Sequence, residues 1–130
     1  TICLAVGLRP LTDILVQAGC EMAYVPQLGG DVALHDENMK TTSDKFYVAG
    51  DAAGIEEATA AMLEGELATL SALMEIGNRS SEIKNRRDKV KDELVELRQG
   101  PVGQKIRAGL NKLRGDEDAG KNRYSHIRGY

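Results

Sequence analysis

The chain has 130 residues, a formal net charge of −3 at pH 7 and no tryptophan. This length fits one domain, or one domain with a tail, and no apolar run approaches the roughly 20 residues that a membrane-spanning helix needs. No signal peptide is visible, and the two cysteines, Cys3 and Cys20, fit a reducing compartment, so the predicted location is cytoplasmic. Scarce aromatic residues argue against a surface that stacks nucleic acid bases.

The two halves of the chain differ in charge. Residues 1–78 hold 3 basic and 12 acidic side chains, whereas residues 79–130 hold 14 basic and 8 acidic ones. This asymmetry indicates a composition boundary near Asn78. A basic helical face attracted to the acidic half explains it most simply; contact with nucleic acid or with another subunit is the alternative.

The first half predicts short strands and one short helix. Residues 2–6 form an apolar run closed by Gly7, which is typical of a buried strand. A short helix is predicted from Pro10 to the stop at Gly19. Two further strands, 21–25 and 31–34, flank a proline–glycine turn and predict a hairpin, and residues 46–49 predict another strand.

The second half predicts helices. Apolar residues at helical spacing predict a long helix over 56–76, which Gly77 ends. Ser80 or Ser81 is expected to cap a second helix, which ends before Gly100-Pro101. A third amphipathic helix is predicted over 102–113, and residues 116–130 are expected to be disordered or loosely packed.

One short segment carries most of the chemical information. The predicted strand 46–49 ends on Gly50-Asp51, and the long helix begins a few residues later. Ligands of open α/β folds bind at the carboxyl ends of strands, where helix amino termini offer free N–H groups. Gly50 allows close approach of a ligand, and the Asp51 carboxylate can accept hydrogen bonds from ligand hydroxyls. A helix cap is the simpler role for Asp51.

Two motifs resemble those of the pyridine nucleotide-disulfide oxidoreductase superfamily of flavoproteins. Residues 47–51, Tyr-Val-Ala-Gly-Asp, resemble its second FAD-binding motif, and residues 2–10 resemble the strand that links its NAD(P) and FAD domains. Within that superfamily, residues 54–65 are most similar to the flavoprotein subunits of sarcosine, opine and proline oxidases and of hydrogen cyanide synthase. The resemblance covers about residues 1–77.

The resemblance implies an α/β fold and a cofactor site. The fold would be an α+β fragment: the carboxy-terminal portion of an FAD-binding domain over 1–78, with a helical extension over 79–115 and the tail 116–130. Asp51 would bind a ribityl hydroxyl of FAD, and helix-start N–H groups would face the flavin pyrimidine edge. Glu56 and Glu57 could instead only complement the helix dipole. The cofactor-binding residues implied are Gly50, Asp51, Gly54, Glu57, Ala58 and Thr59.

Motifs that this family also uses are missing. The chain has no Gly-x-Gly-x-x-Gly loop for the ADP half of FAD or for NAD(P), and no Cys-x-x-Cys. We therefore expect a piece of a larger FAD-dependent oxidoreductase, inactive and without bound FAD by itself. The complete protein would transfer a hydride or electrons between an amine-type donor, or NAD(P)H, and the flavin. The missing dinucleotide-binding region, or a partner that supplies it as a separate subunit, is the expected partner.

Other functions fit parts of the sequence. The helices after Ser80 could form a subunit-docking or oligomerisation surface on a flavoprotein scaffold, and homo-oligomerisation is expected. Nucleic acid binding is disfavoured because acidic residues interrupt the basic ones. His35, Asp36 and Glu37 could be read as metal ligands, but neighbouring residues point in different directions, which favours a solvated polar loop.

Overall fold

The computed structural model describes residues 1–115, and its architecture is helical with one small antiparallel sheet. The predicted α+β character is therefore confirmed. The remaining prediction, for residues 116–130, lies outside the described residues. In chain order, the elements are α1 (Asp13–Gln17), β1 (Met22–Val25), a 3₁₀ turn (Pro26–Leu28), β2 (Gly30–Ala33), a second 3₁₀ turn (Gly50–Ala52), α2 (Ala58–Glu75), α3 (Ser81–Leu97) and α4 (Pro101–Gly115).

The predicted hairpin is present. Strands β1 and β2 pair antiparallel, from Met22 opposite Ala33 to Val25 opposite Gly30. The proline–glycine segment between them folds as the 3₁₀ turn Pro26–Leu28, because proline presets the backbone for a tight turn. Leu28 is fully buried, so this turn belongs to the core and is not a surface loop.

Two predicted strands are absent among residues 1–115. Residues 2–6 lie in no strand, and Ile2, Leu4 and Val6 are 81–93% exposed. Residues 46–49 form only a single bridge, between Tyr47 and Lys40, although Val48 is buried. A strand needs a neighbour to satisfy its backbone groups, and the described part of the chain offers none in register with these segments.

Helix α1 is shorter and less buried than the sequence predicts. It starts at Asp13, three residues after Pro10, and ends before Gly19. Leu15 is buried, whereas Leu11 and Ile14 are 76% and 70% exposed. A helix of five residues presents only about one turn of a face, so a single side chain reaches the core.

Helices α2 and α3 pack together and close the main core. The bounds of α2 lie within two residues of the predicted helix. Ser80 caps α3 as predicted, since its hydroxyl oxygen accepts the Ile83 N–H at 3.3 Å. This core unites residues from α1, the hairpin and both helices, among them Leu15, Met22, Met39, Val48, Leu67, Val90 and Leu94.

Helix α4 forms a second core with the hairpin. Its residues Ile106, Leu110 and Leu113 pack with Val25, Leu28 and Val32. The close approach requires a glycine on α4, because a Cβ at Gly109 would lie 2.9 Å from Leu28 Cγ. On another side, a Cβ at Gly54 would lie 3.1 Å from Leu28 Cβ. Leu28 thus fills the space between α4 and the segment after the Gly50 turn.

We expect the purified chain to self-associate, most simply as a two-fold dimer. Large apolar side chains stay exposed, notably Ile2 (87%), Leu4 (81%) and Val6 (93%) at the amino end and Met62 (77%) on α2. Apolar surface of several hundred Å2 usually finds a partner. Light scattering at high micromolar concentration should give a dimer mass, and I2S/L4S/V6S should lower it. A monomeric wild-type chain would contradict this prediction.

Candidate functional site

The Ala-Gly-Asp segment forms a tight turn. After buried Val48, the chain enters the 3₁₀ turn Gly50–Ala52, with Gly50 at a φ of +65°. That left-handed conformation favours glycine, and a Cβ there would lie 3.4 Å from Ala61 Cβ on α2. Asp51 is exposed on this turn. The predicted placement at the end of a strand is wrong, but Asp51 still lies in a turn that packs against α2.

The amino end of α2 is open. The helix starts at Ala58, with Glu57 as the extended residue before it, and within residues 1–115 no side chain hydrogen-bonds as its cap. Glu57, Ala58 and Thr59 are all exposed. The first N–H groups of a helix have no intrahelical partner and carry partial positive charge. This end can therefore receive an acceptor from outside the described chain.

The predicted cofactor-binding residues thus lie on two adjacent segments. Asp51, Glu57, Ala58 and Thr59 are exposed, Gly50 is half-buried, and Gly54 is buried under Leu28. The glycines serve backbone geometry, whereas the exposed residues remain accessible. Their role in cofactor binding stays a prediction.

A buried group of charged side chains, which sequence reasoning missed, lies beneath this surface. The Arg98 guanidinium, at the end of α3, donates to Glu56 through Nε at 3.0 Å and Nη2 at 2.7 Å. Its Nη2 also donates to Glu64 Oε1 at 2.6 Å, and Glu64 Oε2 accepts the Gly50 N–H at 2.8 Å. The three side chains are 4–11% exposed. We call Arg98, Glu56 and Glu64 the charged triad.

Burial and charge act in opposite directions on the triad. Burial raises the pKa of Glu64 to about 6; the charge of Glu56 adds to this, and Arg98 and the Gly50 N–H oppose it. Burial disfavours the charge of Arg98, but its bonds to Glu56 and the charges of both glutamates raise the pKa of Arg98 overall. The triad holds two carboxylates against one guanidinium, so it carries an excess negative charge when Glu64 is ionised.

One sequence signal pointed to the triad. Glu64 lies four residues after Ala60 and three before Leu67, both of which are buried on α2. Residues at these spacings share a helix face, so an acidic residue there predicts a buried carboxylate that needs a partner. Its partner Arg98 is 34 residues away, and no local pattern identifies it.

The loop at His35 differs from the fully solvated loop that the sequence predicts. His35 is only 6% exposed; its Nδ1 donates to the Ala33 carbonyl oxygen at 2.9 Å. Among residues 1–115, its Nε2 has no hydrogen-bond partner. Burial is the main cause that lowers the pKa of His35 to about 4, so the ring is neutral at pH 7.

The neighbours of His35 do not form a metal site with it. The Asp36 carboxylate accepts the Asn38 and Lys40 backbone N–H groups, and Glu37 pairs with Lys91 on α3 at 3.0 Å. No group of three or more potential ligands in the described part of the chain could hold a metal ion. Residues 1–115 include no helix with the length and apolar character that a membrane span requires.

One open cavity borders the site, and a second lies at His35. One, of about 330 Å3, lies between the start of α2 and the junction of α3 with α4, and its lining includes Glu56, Glu57, Arg98 and Ile106. The other, of about 540 Å3, is lined by residues that include His35, Lys40, Thr41 and Arg114. The first cavity joins the charged triad to the open end of α2.

Comparison with known proteins finds similarity to the A subunit of opine oxidases. The chain is 39% identical over 70 residues to this protein from Agrobacterium tumefaciens (strain Ach5), and 34% identical over 71 residues to the one from Rhizobium meliloti. The corresponding protein of Rhizobium meliloti (strain 1021) is 36% identical over 78 residues. The predicted resemblance to opine oxidase subunits is thereby confirmed.

These similarities cover part of each protein. They include 54–59% of this chain but only 14–17% of the relatives, so the match spans about a seventh of their length. No protein-family model matches the chain. No solved structure matches it either.

Proposed function

We propose that this chain is the part of an FAD-dependent oxidoreductase that contacts the ribityl and isoalloxazine groups of the cofactor. The observation that carries the proposal is the similarity to an opine oxidase subunit, together with the exposed Asp51 turn. The name of these relatives favours an amine-type donor as the substrate class of the complete protein.

The residues present fit half of such a cofactor. The Asp51 carboxylate would accept a ribityl hydroxyl, and the open N–H groups at the start of α2 would face the pyrimidine edge. When bound, the flavin supplies hydride or electron transfer, whereas the protein orients the ring and favours its negative charge. The partial positive charge at the amino end of α2 would favour the negative charge on the ring.

The other half of the cofactor needs a different polypeptide region. A glycine-rich dinucleotide loop is absent from the 130 residues, so the ADP half finds no site of that kind here. We therefore propose that a region or subunit with such a loop, and a second one if NAD(P) takes part, completes the site. The relatives are named as subunits, which supports an assembly.

A non-catalytic docking module is the second candidate. The exposed apolar segment at Ile2, Leu4 and Val6 favours it, because such surface is typical of a contact with another chain. In this case the Gly50 turn would be only a scaffold. The two candidates differ in one measurable property, which is whether Asp51 contributes to flavin affinity.

Asp51→Ala should weaken FAD binding in the complete flavoprotein that includes this sequence. Loss of a hydrogen bond to a charged group costs about 1.5 to 3 kcal/mol, so the affinity should fall on the order of 10- to 100-fold. Asp51→Asn should do less harm, because its amide oxygen still accepts a hydrogen bond. Flavin fluorescence during dialysis and titration measures the dissociation constant.

A matched control separates this effect from a general loss of acidic surface. Asp31 is another exposed aspartate, on β2, so Asp31→Ala should leave flavin affinity unchanged. Full flavin retention by Asp51→Ala would contradict the proposed role and favour the docking module.

A further inference from the structure

We propose that Arg98 is a positioning residue for the Gly50–Asp51 turn, so that α3 contributes to the site although it carries none of the exposed site residues. The contact geometry stands on its own. Only its consequence for a flavin rests on the proposed function.

The first step is the link from the turn to α2. The Gly50 N–H belongs to the peptide that enters the turn, and it donates to Glu64 Oε2 at 2.8 Å. Asp51 is the next residue along the chain. Since Glu64 is buried on α2, its carboxylate fixes the direction of this peptide and, with it, the start of the Asp51 turn.

The second step is the link from α2 to α3. The other Glu64 oxygen accepts Arg98 Nη2 at 2.6 Å, and both Glu56 oxygens accept from the same guanidinium. Glu56 lies two residues before α2 begins. Arg98 is therefore linked directly to Glu56 before α2 and, through Glu64, to the Gly50 turn; these are the two segments proposed to contact the cofactor.

The titration of Glu64 makes its hydrogen bond with the Gly50 N–H observable in solution. The groups that face Glu64 are Arg98 at the end of α3, Glu56 before α2 and the Gly50 N–H. The charge of Arg114 on α4 interacts with both Arg98 and Glu64 from farther away. Burial raises the pKa of Glu64 to about 6, so the carboxyl titrates where the protein can be studied. The Gly50 N–H faces a carboxylate above that pH and a carboxylic acid below it.

NMR of the 130-residue chain tests the proposal without any flavin. The Gly50 amide proton shift, followed from pH 4.5 to 8, should show an inflection near pH 6. Glu64→Gln should abolish it. Arg98→Met should move it upward by about one pH unit or more, because an opposite charge within bonding distance lowers a carboxyl pKa by that amount.

A matched control uses the other ion pair between the same helices. Arg86 of α3 donates to Glu66 of α2 through two nitrogens, whereas the Gly50 N–H donates to Glu64. Arg86→Met should leave the Gly50 inflection in place. Should Arg98→Met not fold, Arg98→Lys carries the test, because lysine lacks the fork that serves both glutamates and should also shift the inflection upward.

Two results would overturn the proposal. One is a Gly50 inflection that persists in Glu64→Gln; the other is an inflection that stays in place in both Arg98→Met and Arg98→Lys. Since no flavin is present, these outcomes are independent of the proposed function. Failure of the Asp51→Ala prediction would leave the NMR result standing, and the converse also holds.

Discussion

Arg98→Met should lower the free energy of unfolding by about 3 to 5 kcal/mol, because it removes one partner of a buried ion network. Glu56 and Glu64 would remain with exposed fractions of 9% and 4% and without the guanidinium that both now bind. Two adjacent carboxylates with little access to water must then take up a proton or separate. Urea unfolding at pH 7, followed by circular dichroism, measures the loss.

Two further variants sharpen this experiment. Arg86→Met removes an ion pair with side chains 40% and 36% exposed, and should cost much less than Arg98→Met, because water screens exposed ion pairs. Arg98→Met combined with Glu56→Gln and Glu64→Gln should recover much of the loss, because it removes the unpaired charges. A loss below about 1 kcal/mol in Arg98→Met would show that the network contributes little.

The protein should lose stability in acid through His35, by about 3 kcal/mol between pH 7 and pH 4. Burial lowers the folded-state pKa of this histidine to about 4, from an ordinary value of 6.5. As the pH falls below 6.5, His35 takes up a proton in the unfolded chain but stays neutral in the folded chain until the pH approaches 4. The stabilisation is therefore complete above pH 6.5 and is lost as the pH falls toward 4.

Glu64 acts in the opposite direction and must be separated from His35. Burial raises its folded-state pKa to about 6 from 4.5, so its contribution increases as the pH falls through that window, by about 2 kcal/mol. His35→Asn removes the histidine titration, and its amide can still donate to the Ala33 carbonyl. Urea unfolding of both proteins at several pH values isolates the histidine contribution, and parallel pH profiles would show that His35 contributes none.

The sequence predicted the parts of the fold that depend on local patterns. Apolar spacing placed α2 and α4 within two residues at each end, and Ser80 placed the start of α3. The hairpin followed from two apolar runs around a proline–glycine turn. Each of these signals lies within a few residues of the structure that it predicts.

The errors arise where structure depends on distant residues. Residues 2–6 have the composition of a strand, but a strand exists only beside another, and residues 1–115 provide none there. Arg98 lies 34 and 42 residues from its two glutamate partners, so no short pattern identifies it as their partner. The polar neighbours Asp36 and Glu37 led to the prediction of a solvated loop, whereas packing against other parts of the chain buries His35.

The charge asymmetry has a simpler explanation than a nucleic acid partner. Basic residues of α3 and its end pair with acidic residues of the first half, as Arg98 does with Glu56 and Lys91 with Glu37. Part of the opposite charge is therefore paired within the protein, across the composition boundary near Asn78.

Leu28 links the residue at position 109 on α4 to the residue at position 54, which follows the Asp51 turn, because both positions pack against its side chain. Its side chain is enclosed between Gly109 on one side and Gly54 on another, at distances where neither glycine can gain a methyl group without displacing it. A larger residue on α4 at this point would push Leu28 toward the backbone after the Asp51 turn. Growth at Gly109 would therefore require a smaller residue at position 28 and a shift of Gln27, whose Cβ lies 2.9 Å from the added methyl group. Gly54 cannot be compensated in this way, because its φ of +158° strains any other residue.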